Sequence, residues 1–204
     1  MAAKTVKRIP GGISRFFGPM GVFFRGFIEH PRMVGSIIPS SQATIDTMLE
    51  RVDWAQCKLF VEYGPGVGTF CPDILKRLPQ GGELLVIDTN PLFIDYLTAT
   101  IDDPRFTAVL GSAADVEKIV ARTGRPHADY VLSGLPISTL PEGVGEEIVE
   151  ATYRVLRPGG AFMTYQFKDK ARRLTASNFD RVDEGFVLQN IPPCLMTWGW
   201  KEAR

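Results

Sequence analysis

The chain has 204 residues, 45% of them hydrophobic and 23% charged, with a formal net charge of zero. That composition fits one ordinary globular domain with a full core, and its apolar runs fall far short of a membrane span of about 20 residues. The scattered Cys57, Cys71 and Cys194 and the distant His30 and His127 give no metal-ligand or disulfide pattern, which suits a reducing cytoplasm.

The neutral total hides an asymmetry. Residues 1–35 carry Lys4, Lys7, Arg8, Arg15, Arg25 and Arg32 against Glu29 alone, a surplus of +5. Phe16, Phe17, Met20, Phe23, Phe24, Phe27 and Ile28 recur there at helical spacing, interrupted at Gly18-Pro19. Cations beside an aromatic stripe are expected of a helix lying in a membrane interface. A helix packed on the domain's own core, with its arginines solvated, would give the same stripe.

Beyond this segment, strands and helices alternate. Ser41 is placed to cap a helix reaching about Arg51. Strands are predicted at Leu59–Tyr63, up to Asp88, at Phe106–Leu110, at Tyr130–Leu132 and at Ala161–Phe167. Helices are predicted from about Thr69 to Leu78, after Asn90-Pro91, over Ala113–Arg122 and over Glu146–Leu156. Phe186–Gln189 and Leu195–Trp200 read as a closing strand pair, and the polar residues 168–184 as a mobile loop. The alternation implies a mostly parallel, Rossmann-like α/β sheet of seven strands with helices on both faces.

The most telling stretch is Glu62-Tyr63-Gly64-Pro65-Gly66-Val67-Gly68, between the first strand and the next helix. Alternate glycines permit a sharp turn and leave bare main chain for a ligand. Twenty residues past Gly68, the second strand ends in Asp88, where a ribose needs an acceptor for its hydroxyls. The E-x-G-x-G-x-G form lacks the G-x-x-G half that holds a dinucleotide pyrophosphate, and it resembles motif I of class I S-adenosylmethionine-dependent methyltransferases.

Taken with Phe24-Arg25-Gly26-Phe27, Val34-Gly35-Ser36-Ile37-Ile38-Pro39-Ser40-Ser41, Leu132-Ser133-Gly134-Leu135-Pro136 and Pro158-Gly159-Gly160, the chain resembles the bacterial phospholipid N-methyltransferases. The resemblance runs from about Phe16 to Trp200. It implies methylation of phosphatidylethanolamine towards phosphatidylcholine, or of another amine-headed lipid such as ornithine lipid. Together with the basic, Phe-rich stripe this divides the chain into an interfacial segment over 1–35 and a methyltransferase domain over 36–204, with a monomer expected at the cytoplasmic face of the bacterial membrane. The implied partners are an anionic membrane surface and a phospholipid, with no nucleic acid.

Carried over by position, Glu62, Gly64, Gly66 and Asp88 match the family's cofactor residues, to which Tyr63, Gly68, Ser112 and Ser133 are added by place. Two departures stand out. Gly111-Ser112-Ala113 replaces the family's Gly-Asp-Ala, and Asp88 its more usual Glu. Methyl transfer to an amine needs orientation, water exclusion and a neutral nitrogen rather than a nucleophilic triad. Tyr165, at the end of the fifth strand, is the candidate catalytic aromatic, its alternative being an ordinary sheet-face ring. Tyr63 has the same two readings, while Trp198 and Trp200 read as core before pocket wall.

Phe16, Phe17, Phe23, Phe24, Phe27, Arg25 and Arg32 are assigned to lipid or membrane. Arg32 comes first among the candidate anion-holding cations, which also include Lys168, Arg172 and Arg173. Gly134 and Ile137 stand where adenine amine methyltransferases place an Asn or Asp and an aromatic, so a flipped base would find neither device. RNA, a soluble amine and a non-catalytic, membrane-bound cofactor-binding role remain as alternatives.

Overall fold

The computed structural model describes residues 42–166, 168–187 and 194–203. Its strands are β1 (Leu59–Tyr63), β2 (Glu83–Asp88), β3 (Phe106–Leu110), β4 (Ala128–Ser133), β5 (Leu156–Gln166), β6 (Arg181–Val187) and β7 (Cys194–Trp200). They form one sheet in the order β3-β2-β1-β4-β5-β7-β6. Only β7 runs opposite to the other six strands. The helices are α1 (Gln42–Leu49), α2 (Cys71–Arg77), α3 (Pro91–Thr100), α4 (Val116–Ala121), α5 (Val144–Val155) and α6 (Lys170–Asn178). No helix among the described residues is long and apolar enough to cross a membrane.

The central strands β1 and β4 are buried along their whole length, as expected of parallel strands covered on both faces. On one face Phe60, Val86, Leu132 and Met163 pack with Met48, Leu49 and Ile74 of α1 and α2. On the other, Leu59, Val61, Val131 and Phe162 pack with Ile119, Ile148 and Val149 of α4 and α5. Each fully buried side chain of this size contributes roughly 1.5–3 kcal/mol. At the amino end of the sheet, buried Asp129 accepts from the main-chain N–H groups of Lys58 and Leu59, both at 2.8 Å, and pairs with Arg157. That knot joins β1, β4 and β5 at the end remote from the glycine loop.

Two segments differ from the sequence reading. Residues 168–184 are not a loop: they hold α6 and the start of β6. The segment looks polar because α6 turns only Ala171 and Thr175 fully inward, while its basic residues face solvent or ion-pair. Gly199 of β7 gives α6 room, since a Cβ there would collide with Thr175 and Phe179. Residues 157–160, ahead of the strand expected from Ala161, form an irregularity inside β5. The strand already pairs at Leu156 with Ala128, then shifts register before Ala161 meets Tyr130, and Gly159 carries the positive φ of +76°.

Candidate active site

All strands but β7 point their carboxyl ends to one rim, where the glycine loop, Asp88, Ser112, Gly134 and Tyr165 are found. Gly64, Gly66 and Gly68 have φ of +59°, +56° and +79°. Few residues with a Cβ adopt that region. Their surroundings separate them. A Cβ on Gly64 would lie 2.8 Å from Leu135 Cδ2, and one on Gly68 would lie 2.5 Å from Leu97 Cδ2. Around Gly66 nothing lies within 4 Å of that position. Gly64 and Gly68 are therefore packed against Leu135 and Leu97, while the Cβ position of Gly66, itself a buried residue, meets no neighbour among the described residues.

Asp88 ends β2 beside the loop. Its carboxylate accepts from the main-chain N–H of Asn90 at 2.8 Å, and from those of Gly66 and Thr89. Partial burial pushes its carboxyl up to about 6, against the lowering effect of those donors. Two residues on, buried Asn90 caps α3 by accepting from Leu92 N at 3.0 Å. Its Nδ2 is buried without a hydrogen-bond partner. The sequence reading took Asn90 only as a helix start, and an Asn-Pro pair carries no further signal of an idle donor.

Glu62 is 1% exposed, facing α2, where Cys71 Sγ lies 3.5 Å from its Oε2. Burial pushes the Glu62 carboxyl up to about 8, opposed by the Cys71 contact and reinforced by the nearby Asp88. The same burial raises the Cys71 thiol well above its ordinary value, so it is an inert packing group.

Of its two sequence readings, Tyr63 takes the packing one. Its ring points to the opposite face, fully buried against α5, with its hydroxyl 3.1 Å from Thr152 Oγ1. Only its main chain touches the rim, where Tyr63 O accepts from Gly134 N at 2.9 Å. Ser133 is also fully buried on that face, and its Oγ accepts from Leu135 N at 3.3 Å, so its hydroxyl serves the turn. Ser112 is half-buried and caps the short turn after β3, accepting from Ala114 N at 3.2 Å. It lines a cavity of about 450 Å³ with Gly111, Asp115, Lys118 and Arg122.

Tyr165 stands on the same face as Glu62, half-buried, its ring 5.2 Å from that of buried Phe70 at a tilt of 38°. The β4 turn presses against both Tyr165 and the glycine loop. A Cβ on Gly134 would lie 2.8 Å from Gly64 O and 2.9 Å from the Tyr165 hydroxyl. Gln166 closes the arrangement by donating from Nε2 to Leu135 O at 2.7 Å. Neither Phe70 nor Gln166 was singled out from sequence, since a buried ring and a strand-end amide carry no motif.

Trp198 is a core residue, with Nε1 donating to Met48 O at 3.1 Å. Trp200 pairs with Ala161 midway along β5, away from the rim at Gln166. Arg172 and Arg173 are engaged with Glu184 and Asp169 at 3.3 and 3.4 Å, whereas Lys168 is exposed just past β5. Phe16, Phe17, Phe23, Phe24, Arg25, Phe27, Arg32 and the Val34–Ser41 stretch lie outside the described residues. Among the described residues no cluster of three His, Cys, Asp or Glu could hold a metal ion.

No protein-family model matches the chain. An ornithine lipid N-methyltransferase of Singulisphaera acidiphila is 28% identical over 178 residues, covering 84% of this chain and 91% of that protein. Among solved structures, precorrin-6y C5,15-methyltransferase of Geobacter metallireducens superposes with a TM-score of 0.64 at 16% identity, covering 82% and 93% of the two chains. A Haemonchus contortus phosphoethanolamine N-methyltransferase superposes with a TM-score of 0.65 at 13% identity, covering 94% of this chain and 59% of that one. Its structure contains phosphomonomethylethanolamine and S-adenosylhomocysteine. The fold is that of a class I S-adenosylmethionine-dependent methyltransferase.

The residues at the rim of this methyltransferase fold suit that cofactor. Gly66 has no described neighbour at its Cβ position, Asp88 offers a carboxylate to a ribose diol, and Asn90 holds an idle donor beside it. Ser112 adds a half-buried hydroxyl just after β3 on the same rim.

Proposed function

We propose that the chain is an S-adenosylmethionine-dependent N-methyltransferase acting on the amine headgroup of a membrane lipid. The observation that carries this reading is the similarity to an ornithine lipid N-methyltransferase over nearly the full length of both proteins. Ornithine lipid is the first substrate to test, with phosphatidylethanolamine and its methylated forms second. In both, an acidic group stands a few bonds from the amine.

S-adenosylmethionine, when bound, supplies a methyl group already activated on a sulfonium. This chain's part is to hold and shield the reactants. The glycine loop and Asp88 fix the nucleoside, and Tyr165, braced by Phe70, offers an aromatic face to a cationic centre, worth roughly 0.5–2 kcal/mol. Lys168 and Arg32 are the cations proposed for the headgroup anion. Gly134 argues against a nucleobase substrate, because an Asn or Asp side chain there would collide with Gly64 O and the Tyr165 hydroxyl.

A membrane setting is supported by sequence and by the rim. Residues 1–35 combine five Phe with the +5 surplus. The large hydrophobics exposed among the described residues, Leu110 (56%) and Phe186 (59%), are at the carboxyl ends of β3 and β6, the two outermost strands. Six strand spacings put them roughly 29 Å apart, on either side of the site. Phe186→Ser is expected to weaken cosedimentation with anionic vesicles several-fold, with activity on detergent-dispersed lipid retained. Unchanged vesicle binding would remove this rim from the reading.

The direct test is incubation with labelled S-adenosylmethionine and, separately, vesicles of ornithine lipid, vesicles of phosphatidylethanolamine, RNA and small diamines. Label is expected in lipid. Label confined to RNA or diamines would overturn the substrate assignment, and none anywhere would overturn the activity.

A further inference from the structure

The cavity beside Ser112, about 450 Å³ in volume, falls within the usual range of small-ligand sites, roughly 300–1,000 Å³. Its walls come from the end of β3 and from α4. Leu110, 56% exposed, and buried Ile119 give it an apolar side. Lys118 and Arg122 give it a basic one. Arg122 follows α4 but keeps helical geometry, with φ of −72° and ψ of −16°, so the two cations, four residues apart, share one face.

The acids of this region are already engaged. Asp115, also in the lining, pairs with Lys118 at 2.8 Å, and Glu117 pairs with Arg154 at 3.0 Å. Arg122 has no hydrogen-bonding or ionic partner among the described residues. Residues 1–41, 167, 188–193 and 204 contain a single acidic side chain, Glu29, against a surplus of cations. An unpaired guanidinium fork in a cavity suits a phosphate, which it can grip through parallel N–H bonds.

We infer that this cavity seats the phosphate of an anionic membrane lipid other than the one methylated. This rests on the membrane setting proposed above. A free phosphate would satisfy the cations and leave Leu110 in water, whereas a phosphate carrying acyl chains uses both. The reacting lipid is excluded by distance. Its acid stands a few bonds from its amine, while three strand spacings, roughly 14 Å, separate β3 from the β4 turn beside Tyr165. The seated lipid pins the β3 end of the rim, with Phe186 at the β6 end, and so sets how the site faces the bilayer.

The experiment measures cosedimentation of the full chain with vesicles of phosphatidylcholine, alone or mixed with phosphatidylglycerol. Arg122→Gln is expected to weaken binding to the mixed vesicles about fivefold, the effect of one basic residue close to an anionic surface. Adding Lys118→Gln should bring the loss to about tenfold or more. Binding to phosphatidylcholine alone should not change. The control is Lys58→Gln with Lys76→Gln, which removes the same charge from exposed positions at the opposite end of the sheet, before β1 and in the last turn of α2. Lying beyond a Debye length of about 8 Å from the rim, that pair should cost less than about twofold. Thermal unfolding and affinity for S-adenosylhomocysteine should match the native chain in every variant.

Equal losses in the cavity and control variants would overturn the inference, since diffuse charge alone would then account for binding. Affinity for S-adenosylhomocysteine that falls in step with vesicle binding would overturn it by assigning the cavity to the cofactor. Release of the native chain from mixed vesicles by inorganic phosphate, beyond that caused by chloride at equal ionic strength, would replace the lipid with a soluble phosphate. A native chain that binds neither kind of vesicle would overturn the membrane setting itself.

Discussion

Asp88→Ala is expected to weaken S-adenosylhomocysteine binding by ten- to a hundredfold while the protein stays folded. The carboxylate stands at the tip of β2 beside Gly66, where a ribose presents two hydroxyl donors, and charge-assisted bonds of this kind are worth roughly 1.5–3 kcal/mol. Its removal should not cost stability through charge. A carboxyl raised to about 6 in the folded state makes the fold less stable as pH rises from about 4 to about 6, so deleting it relieves that penalty. The loss that remains is the anchor for the main-chain N–H groups of Gly66, Thr89 and Asn90. Calorimetry gives the affinity, and thermal unfolding at pH 7 checks the fold. Unchanged affinity would remove Asp88 from the cofactor site.

Asp88→Asn sharpens the point. It keeps the shape and one acceptor oxygen but carries no charge at any pH. Its affinity should lie between those of the native chain and the Ala variant. Below pH 6 the native protein, with its carboxyl protonated, should approach the Asn variant.

The fold was legible in the sequence wherever an apolar run met a turn residue. β1 and β3 occupy Leu59–Tyr63 and Phe106–Leu110, the residues read from sequence, because both are short, mostly apolar and bounded by a cation before (Lys58, Arg105) and a glycine after (Gly64, Gly111). Legibility failed where composition and direction part company. α6 was taken for a loop because one inward Ala and one inward Thr suffice to seat it on Gly199. β5 began earlier than expected because a Gly-Gly pair can be held inside a strand as an irregularity, not only in a turn.

At the site, the residue types were readable but not the face each presents. Period two makes Glu62 and Tyr63 point to opposite sides, and only the fold tells which of them faces α2 and which faces α5. Ser133 shares the Tyr63 face, so its hydroxyl is spent on the turn. Asn90 was invisible as a ligand group because its capping role already explains its presence. What marks it is the unused half of its amide, a property of the folded protein alone.

Gly134→Ala should lower turnover ten- to a hundredfold with a much smaller change in cofactor affinity. The added methyl would lie 2.8 Å from Gly64 O and 2.9 Å from the Tyr165 hydroxyl, so the β4 turn, the glycine loop or Tyr165 must move. Overpacking of this kind costs about 1–3 kcal/mol of stability. A displacement near 1 Å at a reacting centre can cost about a hundredfold in rate. The two contacts can be separated. Tyr165→Phe removes the hydroxyl and leaves Gly64 O in place. In the double variant, a return to the rate of Tyr165→Phe alone would show that the phenol is the group displaced. Persistence of the full defect would place the strain on the glycine loop. The loop contact is backbone, which yields less readily than a side-chain tip, so the defect is expected to persist. Rates measured on detergent-dispersed lipid, with affinity for S-adenosylhomocysteine followed in parallel, check this. A Gly134→Ala variant with native turnover would show that the close approach of the β4 turn to the loop has no part in catalysis.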